Sequence, residues 1–119
     1  MVVDDDAICL EVTRDRLIAA GYEVIVRDSA LGTSAAIMRE RPHVVLLDQD
    51  MPGLTGEQLA QLLSAQTSDH RATLILYSSE PLSKLSERAK RCGAAGVIEK
   101  TSSDRRFLQQ LSDCLRSVG

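Results

Sequence analysis

The chain has 119 residues, the length of a single domain, and its 44% apolar and 26% charged residues are typical of a folded, water-soluble protein. A net charge of −3 and only 3% aromatic residues argue against binding to nucleic acid, through phosphates or through stacked bases. The three cysteines, Cys9, Cys92 and Cys114, are scattered, which predicts reduced thiols in a cytoplasmic protein. No apolar run approaches the ~20 residues of a membrane span, so we expect no membrane contact.

Short apolar runs alternate with amphipathic stretches along the chain. The runs predict five strands, at residues 2–3, 23–26, 43–48, 73–77 and 96–99. The stretches that follow them predict five helices, at residues 7–20, 30–40, 57–65, from Pro81 to Gly93, and after Ser102 or Ser103. Strict alternation of strand and helix predicts a parallel sheet with helices on both faces. We expect residues 1–119 to form one such α/β domain.

Several residues mark the expected helix ends and faces. Asp6 is the predicted N-cap of the first helix, and Gly21 follows its end. Pro42 ends the second helix because the residue before a proline disfavours helical geometry. The apolar face of the last helix has four members: Phe107, Leu108, Leu111 and Leu115.

Polar side chains follow four of the five predicted strands. Asp4 and Asp5 follow the first strand, Asp48 ends the third, Ser78 follows the fourth, and Lys100 follows the fifth. In an open parallel sheet the ligand lies outside the carboxyl ends of the strands. Converging carboxylates repel one another unless a cation joins them, and a hard cation such as Mg²⁺ suits oxygen ligands. A carboxylate nucleophile, Mg²⁺, an ammonium and a hydroxyl are the components that phosphoryl transfer needs.

Taken singly, each of these residues has an ordinary structural interpretation. Asp4, Asp5 and Asp6 could all serve as an acidic helix start, Asp48 could cap the turn before Met51, and Lys100 could be a surface lysine. Their joint position at the strand ends favours a functional site.

The sequence resembles the receiver domain of bacterial two-component response regulators over essentially its whole length. The resemblance rests on five pieces in the family's order: Val2 to Asp6, Pro42 to Gly53 with Gly56 after it, Ser78, Gly93 to Gly96, and Lys100. It implies a flavodoxin-like, doubly wound sheet of five parallel strands in the order 2-1-3-4-5 with five helices.

The resemblance also implies a role for each strand-end residue. Asp48 would accept a phosphoryl group from a kinase histidine. Asp5 would ligate Mg²⁺ directly, Asp4 through water, and the backbone carbonyl of Asp50 would be a further ligand beside Asp48. Ser78 would donate a hydrogen bond to the aspartyl phosphate, and Lys100 would pair with it.

Two positions depart from the family's pattern. Val97 stands where receivers usually have an aromatic ring that switches between buried and exposed positions. Thr101 stands where many receivers have a proline whose peptide bond is cis. A cis bond before a non-proline residue costs about 2.5–4 kcal/mol. We therefore expect a trans bond between Lys100 and Thr101, with Lys100 still reaching Asp48.

The resemblance implies a histidine kinase or phosphotransfer protein as partner, and an output domain beyond the C-terminus. Receivers that feed helix-turn-helix outputs often lack the proline too, so Thr101 hints at an output of that type. A homodimer is a separate expectation that stays open. The domain would not be a conventional enzyme, although it would promote its own phosphorylation and dephosphorylation. Two alternatives stay open: an interaction module that no longer accepts phosphate, and an aspartyl-phosphate phosphatase, since Asp48 and Asp50 form a DxD pair.

Overall fold

The computed structural model describes residues 1–29, 31–49, 72–79 and 94–116 of the chain. Five strands lie in these ranges: β1 (Val2–Val3), β2 (Val26–Arg27), β3 (Val44–Asp48), β4 (Thr73–Ser78) and β5 (Gly96–Glu99). Three helices lie there as well, numbered in chain order: α1 (Ala7–Ala19), α2 (Thr33–Glu40) and α3 (Asp104–Arg116). The predicted helices at 57–65 and from Pro81 to Gly93 lie outside the described residues.

The five strands form one parallel sheet in the order β2-β1-β3-β4-β5. The chain reverses its direction of strand addition between β1 and β3, which is the switch point expected for a flavodoxin-like fold. The predicted α/β class and strand order are therefore confirmed.

Each face of the sheet buries its own apolar cluster, because successive residues of a strand point to opposite faces. On one face, Val3, Leu47 and Leu76 pack with Ala36 and Ile37 of α2. On the other face, α1 and α3 pack against the sheet. The strands contribute Val2, Leu46, Ile75 and Ile98 to this cluster, α1 contributes Leu10 and Leu17, and α3 contributes Phe107 and Leu111. Full burial of one such side chain contributes roughly 1.5–3 kcal/mol.

The predicted helix ends are largely confirmed. The side chain of Asp6 accepts hydrogen bonds from the backbone N–H groups of Ile8 and Cys9 and so caps α1. Gly21 follows that helix at φ 95°, a left-handed conformation that glycine adopts without strain. Ser103 caps α3 by accepting a hydrogen bond from the N–H of Arg106 at 3.2 Å.

Two elements are shorter than the sequence predicts. The predicted start of the strand at 23–26 is wrong. Strand β2 begins at Val26, which pairs with Val2, and residues 23–25 come before this first paired residue. Helix α2 begins at Thr33 rather than at residue 30, after Gly32 at φ 78°. On α1, the apolar residue Ile8 is 77% exposed, so not every apolar residue of this helix packs against the sheet.

Candidate functional site at the carboxyl edge of the sheet

The pleat of the sheet directs four polar side chains to one face at its carboxyl edge. Asp4, Asp48, Tyr77 and Lys100 each come two residues after a member of the apolar cluster beneath α1 and α3. Backbone hydrogen bonds continue the ladder past the strand ends, from Asp4 N to the carbonyl of Arg27 (3.0 Å) and from Lys100 N to the carbonyl of Ser78 (2.8 Å).

Three carboxylates converge at this edge. Asp4, Asp5 and Asp48 each offer one oxygen, and these oxygens all lie within 4.8 Å of one another. Asp4 and Asp48 are buried, whereas Asp5 is exposed. An all-oxygen set with one side open to solvent fits Mg²⁺, which binds through few carboxylates and keeps several waters. These residues therefore fit the predicted metal.

The ammonium of Lys100 lies against the same group. Its Nζ is 3.0 Å from Asp48 Oδ1 and 3.8 Å from Asp4 Oδ2. Burial lowers the pKa of Lys100, but the hydrogen bond and charge of Asp48, together with the charge of Asp4, outweigh it and leave the pKa above its usual range. The lysine is thus a fixed positive charge beside Asp48, and the predicted pairing of these two residues is confirmed.

Asp4 is held by donors on both of its oxygens. Oδ1 accepts from the N–H of Asp6 at 2.9 Å, and Oδ2 accepts from the hydroxyl of Tyr77 at 2.5 Å. Burial raises the pKa of Asp4, but the hydrogen bonds from Tyr77, Cys9 and Asp6 lower it below its ordinary value of 3.8. Asp4 is therefore a buried, ionised carboxylate of fixed orientation.

The other predicted site residues have different outcomes. Ser78 is the last residue of β4 and is fully buried. Asp50, whose backbone carbonyl is a predicted ligand, lies outside the described residues, as does Cys92. No peptide bond is cis in the described part of the chain, so the predicted trans bond between Lys100 and Thr101 is confirmed. Val97 is half-buried against the apolar cluster beneath α2.

Sequence reasoning missed Tyr77 as a member of this site. We interpreted it only as part of a buried strand, yet its hydroxyl contacts Asp4, and Lys100 Nζ lies 5.0 Å from its ring centroid. A signal was present: a tyrosine near the end of an otherwise aliphatic strand must find a partner for its hydroxyl when buried. Cys9 also lies beside Asp4, and burial, followed by Asp4, raises the pKa of its thiol to about 11.

The chain matches the family model described as the response regulator receiver domain over residues 1–112. The phosphate regulon transcriptional regulatory protein PhoB of Pseudomonas aeruginosa is 28% identical over 119 residues. That alignment covers 100% of this chain and 52% of PhoB, so the chain spans about half the length of this relative. The polar-differentiation response regulator DivK of Brucella anthropi is 24% identical, with 97% of this chain and 94% of DivK covered.

A solved structure agrees with these matches. The signal receiver domain of the putative response regulator NarL from Mycobacterium tuberculosis superposes with a TM-score of 0.76 at 28% identity. The superposition covers 97% of this chain and 93% of that one. None of the helices in the described ranges combines the length and hydropathy that a transmembrane span requires.

Proposed function

The chain belongs to the response regulator receiver family, and on that premise we propose that Asp48 is the residue that accepts the phosphoryl group. One observation carries the proposal. The carboxylate of Asp48 is buried at the carboxyl edge of the sheet, with the ammonium of Lys100 3.0 Å away and the oxygens of Asp4 and Asp5 within 4.8 Å. No structural requirement of the sheet explains such a grouping of charges, whereas phosphoryl transfer to a carboxylate does.

The reaction is a displacement at phosphorus. A carboxylate oxygen of Asp48 forms a bond to the phosphorus atom, and the bond from phosphorus to the imidazole nitrogen of a kinase or phosphotransfer protein breaks. The imidazole leaves with the electron pair of that bond, and Asp48 becomes an acyl phosphate. Lys100 supplies positive charge next to the arriving phosphoryl oxygens, and Ser78 supplies a hydroxyl donor.

Asp5, Asp48 and the carbonyl of Asp50 would hold Mg²⁺ directly, with Asp4 acting through water. The different exposure of the two neighbours supports this division, because Asp5 is open to solvent whereas Asp4 is buried with a donor on each oxygen. When bound, the metal would supply charge that neutralises the phosphoryl oxygens.

The domain would act as a signalling element and not as a conventional enzyme. It would promote its own phosphorylation by small acyl phosphates, and the hydrolysis that ends the signal, through the same residues. Its proposed setting is the cytoplasm, consistent with Cys9 and Cys114, which are reduced thiols and not part of a disulfide. The match to half of PhoB, a transcriptional regulatory protein, supports a role in relaying the signal to an output domain or partner protein.

Intact-mass measurement after treatment with a small acyl phosphate and MgCl₂ tests the proposal. The wild-type protein is expected to gain one phosphoryl group, and Asp48→Asn is expected to gain none because an amide is not a comparable nucleophile. Asp28→Asn is the matched control. Asp28 follows β2 at the same edge of the sheet but lies outside the carboxylate group and is exposed.

Three outcomes would contradict the proposal. Labelling of Asp48→Asn at another residue would remove the role of Asp48. A wild-type protein that binds Mg²⁺ but is never labelled would instead indicate an interaction module that has lost phosphorylation. Continuous turnover of a phosphoester would indicate a phosphatase.

A further inference from the structure

Tyr77 is a buried tyrosine in a position where packing alone would accept phenylalanine. Its side chain is 1% exposed within the apolar cluster that Ile75, Ile98 and Phe107 share. A buried phenol hydroxyl must be paired, because its desolvation is otherwise costly. Here the hydroxyl donates to Asp4 Oδ2 at 2.5 Å. The hydroxyl therefore serves the carboxylate site and not the apolar cluster.

The same tyrosine contacts the other charged side of the site. Lys100 Nζ lies over the ring, 5.0 Å from its centroid, inside the range of about 6 Å in which a cation is attracted to an aromatic face. Both the hydroxyl of Tyr77 and the ammonium of Lys100 approach one atom, Asp4 Oδ2, at 2.5 Å and 3.8 Å. One side chain thus touches a carboxylate of the proposed metal site and the lysine beside the proposed phosphoacceptor.

The backbone of Tyr77 is fixed against the phosphoacceptor strand. Tyr77 pairs with Asp48 in the parallel register, and its carbonyl accepts a hydrogen bond from the N–H of Gln49 at 3.0 Å. The root of the side chain is therefore rigid relative to Asp48, so the position of its hydroxyl is well defined. A donor on a rigid strand can fix the plane of the Asp4 carboxylate, and with it the directions of the oxygen lone pairs that remain.

We infer that Tyr77 is a positioning residue: its hydroxyl orients Asp4 for Mg²⁺ and its ring guides Lys100 toward Asp48. The inference rests on the proposed function, because it concerns the same metal and phosphoacceptor site. Groups that hydrogen-bond metal-site carboxylates orient them, and their loss typically weakens metal binding by about 10–100-fold. Since Asp4 would act through water, an effect near the lower end of that range is expected.

Two variants separate the two parts of the role. Tyr77→Phe removes the hydroxyl and keeps the ring, so the Kd for Mg²⁺ is expected to rise about ten-fold in isothermal titration with MgCl₂. In labelling by a small acyl phosphate, the half-saturating Mg²⁺ concentration should rise with it, whereas the rate at saturating Mg²⁺ should stay within about two-fold, since Lys100 keeps its contact. Tyr77→Leu also removes the ring, and its rate at saturating Mg²⁺ should fall below that of Tyr77→Phe.

Tyr22→Phe is the matched control. It makes the same chemical change at a residue that is 43% exposed and not part of the site, and it should bind Mg²⁺ as the wild type does. Thermal unfolding of each variant, followed by circular dichroism, establishes that the titrations concern folded protein.

The outcomes separate a failure of the proposed metal site from a failure of the positioning role of Tyr77. If the wild type binds no Mg²⁺, the proposed metal site is wrong, and the inference fails with it. If the wild type binds Mg²⁺ and Asp5→Asn does not, the metal site stands. Equal or tighter binding by folded Tyr77→Phe would then overturn the positioning role of the hydroxyl alone. Equal plateau rates for Tyr77→Leu and Tyr77→Phe would overturn the role of the ring.

Discussion

The two faces of the sheet differ most at its carboxyl edge, although the residues concerned are neighbours in sequence. On the face beneath α2, Leu47 and Leu76, near the ends of β3 and β4, are apolar and fully buried. The residue after Leu47 is Asp48, and the residue after Leu76 is Tyr77. Both point to the opposite face, where the hydroxyl of Tyr77 donates to Asp4. A strand that alternates between faces can therefore supply a core residue and a site residue at consecutive positions.

Burial has opposite consequences on the two faces. It stabilises Leu47, whereas burial of Asp4 and Asp48 opposes their ionised forms and must be offset by partners. Lys100 and the hydroxyl of Tyr77 supply part of that compensation. Both faces thus contribute stability through their apolar clusters, and the charged groups gathered at the edge of the face beneath α1 and α3 offset part of it.

The sharpest comparison is between Leu47→Ala and Asp48→Asn. Leu47→Ala should lower the free energy of unfolding by about 2–5 kcal/mol, because the cavity it leaves is fully buried. Asp48→Asn relieves carboxylate repulsion while losing the Lys100 pair, and these opposing changes should leave stability much closer to wild type. Urea unfolding followed by circular dichroism measures both. A larger loss from Asp48→Asn than from Leu47→Ala would contradict the comparison.

Lys100→Met tests the compensation directly. Removal of the ammonium takes a positive charge away from Asp48 and Asp4, so stability in metal-free buffer should fall by about 1–3 kcal/mol, less than for a fully buried pair because Lys100 is partly exposed. Added MgCl₂ should raise the unfolding temperature more in this variant than in wild type, since the metal replaces the missing charge. Arg116→Met, at an exposed cation, is the control. Equal shifts with Mg²⁺ would contradict this account.

Gly96→Ala addresses the opposite end of the charged face, where the sheet is close-packed against α3. A Cβ at Gly96 would lie 2.6 Å from the Sγ of Cys114, so the substitution should cost about 1 kcal/mol through overpacking. The double variant with Cys114→Ala should recover most of the loss. Thermal unfolding of the single and double variants measures the recovery. Purely additive losses would show that the two residues do not clash.

The pH dependence of stability gives the smallest expected effect. Burial, followed by the hydrogen bond to Asp4, raises the pKa of Tyr77 above its ordinary value of 10.0, so the folded protein keeps a proton that the unfolded chain releases. This contribution is fully present below pH 10 and is lost as the pH rises beyond it. Tyr77→Phe should flatten the fall of unfolding free energy with pH in that range.

Urea unfolding at a series of alkaline pH values measures this slope. Leu47→Ala is the control, because it lowers stability on the apolar face without adding or removing a titrating group. A slope unchanged by Tyr77→Phe would contradict the proton linkage of Tyr77.

The apolar pattern of the sequence and the residues that begin or end helices determine much of the fold. The apolar runs locate the strands β3, β4 and β5, and Asp6, Gly21 and Ser103 mark helix ends through local hydrogen bonds and backbone conformation. These features depend on near neighbours in the chain, so they can be read without knowledge of the fold. The strand order is different, since alternation alone predicted a parallel sheet and the resemblance to receivers supplied the order.

What only the tertiary structure decides is which distant residues meet. Val24 and Ile25 are apolar and β-branched and therefore suit a strand, yet β2 is Val26–Arg27, because pairing with β1 and not propensity sets its length. The sequence placed Asp4, Asp48 and Lys100 at strand ends, but it gave no reason to connect Tyr77 with Asp4, 73 positions away. That contact arises because the sheet order brings β4 beside β3 and the pleat turns Tyr77 toward the helices α1 and α3. Hydrogen bonds of this kind depend on side-chain direction across strands, which no local pattern encodes.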